Sequence, residues 1–197
     1  MILTAVLSLL LLLAVFLFFV ISSALLGFLL TRVPFVRTYT DDIKFFTDRL
    51  NLSPKDVFYD LGCGDGKVCF LVNQLTGAQC VGFELVWWTY LLAQLKLKVK
   101  SEKLKIYPVK SAKGGTAAQL FNGVKFRNQN FFKHSWAEAG YIYGYLFPPL
   151  MSKVEEKFLA DCKPGTIAII RDFPFPNLRP ICIYKMPKQH LIYIYRA

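Results

Sequence analysis

The sequence predicts an α/β domain on a mostly parallel, doubly wound sheet, closed by a C-terminal antiparallel hairpin and preceded by one transmembrane helix. Three observations carry that expectation. The run from Ile2 to Thr31 contains no charged residue. Beyond it, β-prone apolar stretches alternate with helix-compatible ones, the order that builds a parallel sheet. Between the first such pair stands Val57-Phe58-Tyr59-Asp60-Leu61-Gly62-Cys63-Gly64-Asp65-Gly66-Lys67-Val68, which reads as strand, tight loop and helix start.

The 197 residues divide into an anchor, 1–31, and a single domain, 32–197. A spanning helix needs ~20 apolar residues, so the first segment is long enough to cross a bilayer. A signal peptide would carry a basic start and an apolar run of only ~7–15 residues. Here no Lys or Arg precedes Arg32, and apolar sequence continues past Ser22-Ser23-Ala24 to Leu30. A retained single-pass anchor is therefore expected. Arg32, Arg37 and Lys44 follow it, which places the domain on the cytoplasmic (or matrix-equivalent) side by the positive-inside rule. The five cysteines are odd in number and form no Cys-x-x-Cys pair. They read as reduced thiols rather than a disulfide frame or a zinc site.

In order along the domain, Pro34-Phe35-Val36-Arg37-Thr38 is a short extended linker. Thr40 or Asp41 caps a helix over 41–50 that puts Ile43, Phe46 and Leu50 on one face, and Asn51 and Pro54 end it. A strand over 56–60, a helix over 66–76 and a strand over 79–84 make the first βαβ unit. Val86-Trp87-Trp88-Thr89-Tyr90-Leu91-Leu92-Ala93 is strongly apolar and reads as helix; either tryptophan could stack on a base or pack in the core. The stretch 95–123 alternates like a strand at 95–100 yet continues a helix-like segment. Seven lysines between 96 and 113 face one acid, Glu102. They read as a solvated face, as contact with anionic lipid headgroups or, third, as a nucleic-acid surface. Strands follow at 124–130 and 140–146, a helix at 150–161 stopped by Lys163-Pro164-Gly165, and an apolar strand at 166–170. Ile181–Lys185 and His190–Arg196 form the closing hairpin.

Glycines at alternate positions let the loop backbone take left-handed angles and let a ligand lie against it. The following helix aims free N–H groups and its positive end at the same place. Spacing then separates the options. A dinucleotide fingerprint needs a third glycine where Lys67 stands, and a P-loop needs one more residue between its glycines and a hydroxyl where Val68 stands. What remains is Asp-x-Gly-x-Gly-x-Gly. Gln79-Cys80-Val81-Gly82-Phe83-Glu84 ends in a carboxylate that a doubly wound sheet sets beside the loop, where it can accept both hydroxyl protons of a ribose.

These residues resemble the first two motifs of the class I methyltransferases that use S-adenosylmethionine, whose sheet is Rossmann-like. Further features narrow the likeness: Pro34-Phe35-Val36 after the span, Tyr145-Leu146-Phe147-Pro148 before Glu155-Glu156-Lys157, then Lys163-Pro164-Gly165 and Phe173-Pro174-Phe175-Pro176. From about residue 34 onward the chain is similar to the membrane-anchored lysine methyltransferases typified by the enzyme for the ATP synthase c-subunit, and to their prokaryotic relatives. The resemblance implies that Asp60 and the loop of Gly62, Cys63, Gly64 and Gly66 hold the methionine end of S-adenosylmethionine, with Glu84 on the ribose. Asn130 falls in the slot that often holds the adenine amino group, where an acid is commoner; it also reads as a turn asparagine. The end of the fourth strand faces the transferring methyl group in this fold. Tyr145, Phe147 and Pro148 are then the acceptor wall, with Tyr143 and Tyr145 to orient an amine.

The function expected is methyl transfer to a protein lysine at the membrane. The alternatives are a membrane-soluble small molecule or lipid as acceptor, or a degenerate membrane-tethered module that binds the cofactor without turnover. No metal-ligand array or Ser-His-Asp set competes, and His134 and His190 read as surface or edge residues.

Overall fold

The computed structural model describes residues 2–31, 36–106 and 121–197. Arg32, Pro34, Phe35, Gly114-Gly115 and the C-terminal part of the lysine-rich stretch lie outside the described residues. Helix α1 (Ile2–Thr31) is apolar on every side, and its stretch Ile2–Ser22 is long and apolar enough to cross a membrane. Its 21 residues rise about 32 Å, close to the thickness of a hydrocarbon core.

The domain then runs α2 (Thr40–Arg49), β1 (Val57–Leu61), α3 (Lys67–Thr76), β2 (Gln79–Glu84) and α4 (Trp87–Ile106). After the lysine-rich stretch come β3 (Val124–Asn128), β4 (Tyr141–Gly144), α5 (Met151–Asp161), β5 (Ile167–Arg171), β6 (Cys182–Lys185) and β7 (Leu191–Arg196). The ambiguity at 95–100 resolves as helix. Ala93 and Leu97 pack on the core beside β3, and a strand there would have turned every second residue away. Strand β3 ends at Asn128, two residues short of the expected Asn130, because the Asn130 side chain caps the 3₁₀ turn at 131–133 instead.

The seven strands stand in the order β3-β2-β1-β4-β5-β7-β6. The first five are parallel, and β7 runs antiparallel between β5 and β6, so the expected hairpin closes the sheet. Strand order reverses between β1 and β4. In an open α/β sheet that reversal leaves a crevice beyond the carboxyl ends of the strands, where ligands bind.

Alternation along β1 feeds both sides of the sheet. Phe58 packs on Phe46 of α2, Cys69 and Val72 of α3 and Ile169, whereas Tyr59 and Leu61 face Phe83, Trp136, Ile142 and Phe158. Strand β5 is buried on both faces, as its uninterrupted Ile-Ala-Ile-Ile predicts. Each large side chain so enclosed contributes about 1.5–3 kcal/mol, and the sum fixes the strand ends on which the site depends.

Candidate active site

The loop after β1 takes the shape its glycines allow. Gly62, Gly64 and Gly66 have φ of +78°, +55° and +80°, angles that cost other residues roughly 1–2 kcal/mol each. The Gly62 and Cys63 amides both donate to the Phe83 carbonyl at 2.9 Å, which staples the loop to β2. Gly82 permits this approach, since a Cβ there would stand 2.7 Å from the Cys63 Sγ and 2.8 Å from the Phe126 ring. Glu84 closes the arrangement. Its Oε2 accepts from the Gly64 amide at 2.8 Å and its Oε1 from the Val86 amide at 2.7 Å. Burial raises the Glu84 pKa, while those backbone N–H groups work against the rise by favouring the anion.

Asp60 sits at the end of β1, 2% exposed. Burial pushes its carboxyl up to about 7; the Cys69 thiol, 3.7 Å away, opposes that, and the charges of Glu84 and Asp65 add to it. Asp65 behaves in the opposite way. It too is desolvated, yet Lys96 and Arg37, each 2.6 Å from its Oδ2, hold it below the usual carboxylate range.

Residues 36–39 lie as a strap along one side. Arg37 bonds Asp65, the Lys67 ammonium donates to the Thr38 carbonyl at 2.7 Å, and the Thr38 and Tyr143 hydroxyls are 2.8 Å apart. Burial raises the Tyr143 pKa strongly, so its phenol stays protonated. Behind Tyr145, the Arg171 guanidinium lies 4.4 Å from the ring centroid and approaches Asp42 to 3.1 Å without hydrogen-bond alignment.

These elements enclose a cleft of about 340 Å³ at the β1/β4 switch point. Asp60, Gly62, Cys63, Glu84, Asn130, Tyr143 and Tyr145 all line it. Gly64 contributes its amide to Glu84. Gly66 takes the left-handed N-cap of α3, packed so tightly that a Cβ would overlap Phe126. Pro148 is not brought to the cleft: it opens the 3₁₀ turn at 148–150 on the exposed surface. Trp88 lines the cleft, and its buried indole N–H has no hydrogen-bond partner among the described residues; Trp87 instead turns outward. The strap, Asp65 with its two cations, and the Arg171–Asp42 pair were missed in the sequence. So was the His190 ring, which meets Asp172 at 3.0 Å and lies 5.1 Å from Tyr39.

The donor set suits S-adenosylmethionine. Its cation would meet carboxylates at Asp60 and Glu84, its ribose diol would meet Glu84, and its flat base would meet Phe131, Phe132 and an indole N–H in need of an acceptor. Beside Gly62 a Cβ would meet the Leu146 side chain at 3.4 Å, so the leucine shares the space that the glycine leaves.

Comparison with known proteins agrees. Residues 60–182 match the model of the ANTKMT methyltransferase domain. Over 170 residues the chain is 23% identical to a protein-lysine N-methyltransferase of Saccharolobus islandicus, covering 83% of this chain and 93% of that protein. Over 152 residues it is 22% identical to the adenine nucleotide translocase lysine N-methyltransferase of Mus musculus, covering 77% of this chain and 58% of the mouse protein. Among solved structures it is similar to an RNA methyltransferase from Salinibacter ruber in complex with S-adenosyl-L-homocysteine. The TM-score there is 0.67 at 23% identity, over 82% of this chain and 93% of that one, a likeness of fold.

Proposed function

We propose, for a chain that belongs to the ANTKMT methyltransferase domain family, that its S-adenosylmethionine-dependent methyl transfer ends on the side-chain amine of a protein lysine at a membrane. That the chain is a methyltransferase using this cofactor follows from the family. The lysine acceptor is supported by the two curated relatives, both named for protein lysine. The membrane is supported by α1. The observation that carries the reading is the cleft itself, with Glu84 clasping the glycine loop beside a buried Asp60 at the switch point.

Bound S-adenosylmethionine supplies a methyl group made electrophilic by its sulfonium. The chain's part is alignment rather than covalent chemistry. Asp60 and the backbone of Gly62, Cys63 and Gly64 would hold the amino-acid end. Glu84 would take the ribose, with Asn130 and the Trp88 indole at the base. The acceptor amine must be neutral to attack, and a free lysine with pKa ~10.4 is almost all charged at neutral pH. Tyr145, Leu146 and Leu150, which line the cleft, would form an apolar wall around the acceptor end, and desolvation there disfavours the ammonium. Tyr143 and Tyr145 would orient the amine. The reading that α1 anchors the chain with the domain on the cytoplasmic or matrix-equivalent side is supported by the basic residues after α1.

The test is titration of the full chain, solubilised in detergent, with S-adenosylmethionine, followed by transfer of labelled methyl to membrane proteins and total hydrolysis. Wild type is expected to bind and Glu84→Ala to lose binding, with the label recovered as methyl-lysine. Label extracted with organic solvent would instead make a lipid or small molecule the acceptor. A folded chain that fails to bind would leave only a tethered module.

A further inference from the structure

Helix α4 is apolar on two opposite sides. Its inner side carries Thr89, Ala93 and Leu97 against the sheet. On the outer side Trp87, Leu91, Leu95 and Val99 follow at four-residue spacing, one stripe along the helix, exposed by 49, 39, 52 and 52%. Leu95 and Val99 also border a shallow groove whose opposite wall is Phe70 and Leu71 of α3. A helix that is part of a soluble domain keeps such a face polar, and a contiguous exposed apolar stripe marks a contact surface. Lys98 lies within the stripe's azimuth, whereas Lys96 turns to Asp65 and Lys100 lies over the Phe70 and Phe121 rings; the chain as a whole carries a net charge of +11.

The start of the stripe is set against the anchor. The ring of Phe19, near the domain end of the span, meets Trp87 edge-on at 6.1 Å between centroids. Tryptophan is the residue that settles at the boundary between hydrocarbon and headgroups. An apolar stripe that begins at that boundary and carries Lys98 has the make-up of a helix lying in the membrane surface.

We infer that the outer face of α4 lies on the anionic headgroup surface of the bilayer that α1 crosses, with Trp87, Leu91, Leu95 and Val99 in the interface and Lys98 on lipid phosphates. The inference rests on reading α1 as a retained span. A second copy of the chain is the rival occupant, and charge decides against it: two such faces would bring Lys98 against Lys98 in chains of net charge +11 each, whereas anionic lipid neutralises them. Because Trp88 and Thr89 of the first turn of α4 line the cleft, this docking fixes the height of the site above the membrane.

The experiment uses the full chain in nanodiscs of phosphatidylcholine, with or without phosphatidylglycerol. Cys162 and Cys182, the half-exposed thiols, are replaced by alanine. An environment-sensitive fluorophore is attached at Leu95→Cys or, as control, at Leu159→Cys on the exposed face of α5. Lipids carrying a headgroup nitroxide serve as quencher. The expected result is a blue shift and strong quenching at 95 and neither at 159, deepened by phosphatidylglycerol. Lys98→Ala should weaken the surface association about fivefold. Equal quenching at the two positions, with α1 still resistant to alkaline carbonate, overturns the inference and leaves the span standing. Disulfide cross-linking between copies through position 95, with no lipid quenching, overturns it in favour of the dimer. Release of the chain by carbonate removes the span and the inference together.

Discussion

Asp60 concentrates the chemistry of the site in one proton. In the folded chain its carboxyl titrates at about 7, raised by burial, while an unfolded aspartate titrates near ~3.9. Between those values the folded state holds a proton that the unfolded state has lost. Its contribution to stability is therefore full below about 4 and disappears as pH rises towards 7. Binding of a cationic ligand runs the other way, since it needs the anion. Calorimetry at slightly acid pH, in buffers of different ionisation enthalpy, should show release of about one proton per S-adenosylmethionine bound, and Asp60→Asn should abolish it. Unchanged release in the variant would move the site's titrating group elsewhere. A second residue test is steric. Gly82→Ala places a methyl against the Cys63 sulfur and Phe126, so it should lower the melting temperature, cost about 1–3 kcal/mol and loosen cofactor binding through the displaced loop. Asp60, Glu84 and the glycines were legible because a strand end followed by such a loop leaves few positions for them. Pro148 was not: its distance from the cleft depends on which way a 3₁₀ turn faces, and no spacing records that.

At the scale of elements, the strap at 36–39 and helix α2 behave as one clamp on the cleft. Arg171 and Asp42 fasten the start of α2 to β5, with 1% and 5% of their side chains exposed. Burial raises the Asp42 pKa and the Arg171 charge opposes the rise. Removing one partner of a buried pair strands the other, at a cost of about 3–5 kcal/mol. Asp42→Ala should show this as a large loss of thermal stability, and Asp42→Ala/Arg171→Met should recover much of it. A double variant as unstable as the single one would mean that the pair organises α2 by more than its charge. The outer end of the clamp joins a buried carboxylate, Asp65, to two cations that reach solvent. Asp65→Asn weakens the hold on Arg37 and Lys96, and the expected outcome is faster dissociation of S-adenosylmethionine with little change in melting temperature. Gln79–Glu84 was readable from periodicity to the residue, the expected β3 and β4 overran their observed ends by up to two residues, and 95–100 read both as strand and as helix. The clamp was not readable, because Asp42 and Arg171 are far apart along the chain, and only the register that places β5 beside β4 brings them together.

The molecule as a whole joins a helix long and apolar enough to cross a membrane to a cleft through very little chain. Helix α1 ends at Thr31 and the strap that lines the cleft begins at Val36, so a site built on the strap cannot stray far from the end of α1. Tethering converts encounter with a membrane-held acceptor into an event between neighbours, with an effective concentration that short linkers raise to the millimolar range. This separates two roles for the anchor that a binding assay alone would merge. If α1 serves to tether, a chain lacking residues 1–31 should bind S-adenosylmethionine as the full chain does and methylate a soluble lysine peptide at the same rate. With an acceptor reconstituted in the same vesicles, its turnover should fall by on the order of 10²–10⁴-fold. The deficit should shrink as acceptor density in the membrane is raised, because mass action then replaces the tether. An equal loss on both acceptors, accompanied by weaker cofactor binding, would show instead that α1 holds α4 and the strap in place, and that the contact of Phe19 with Trp87 is part of the site's architecture.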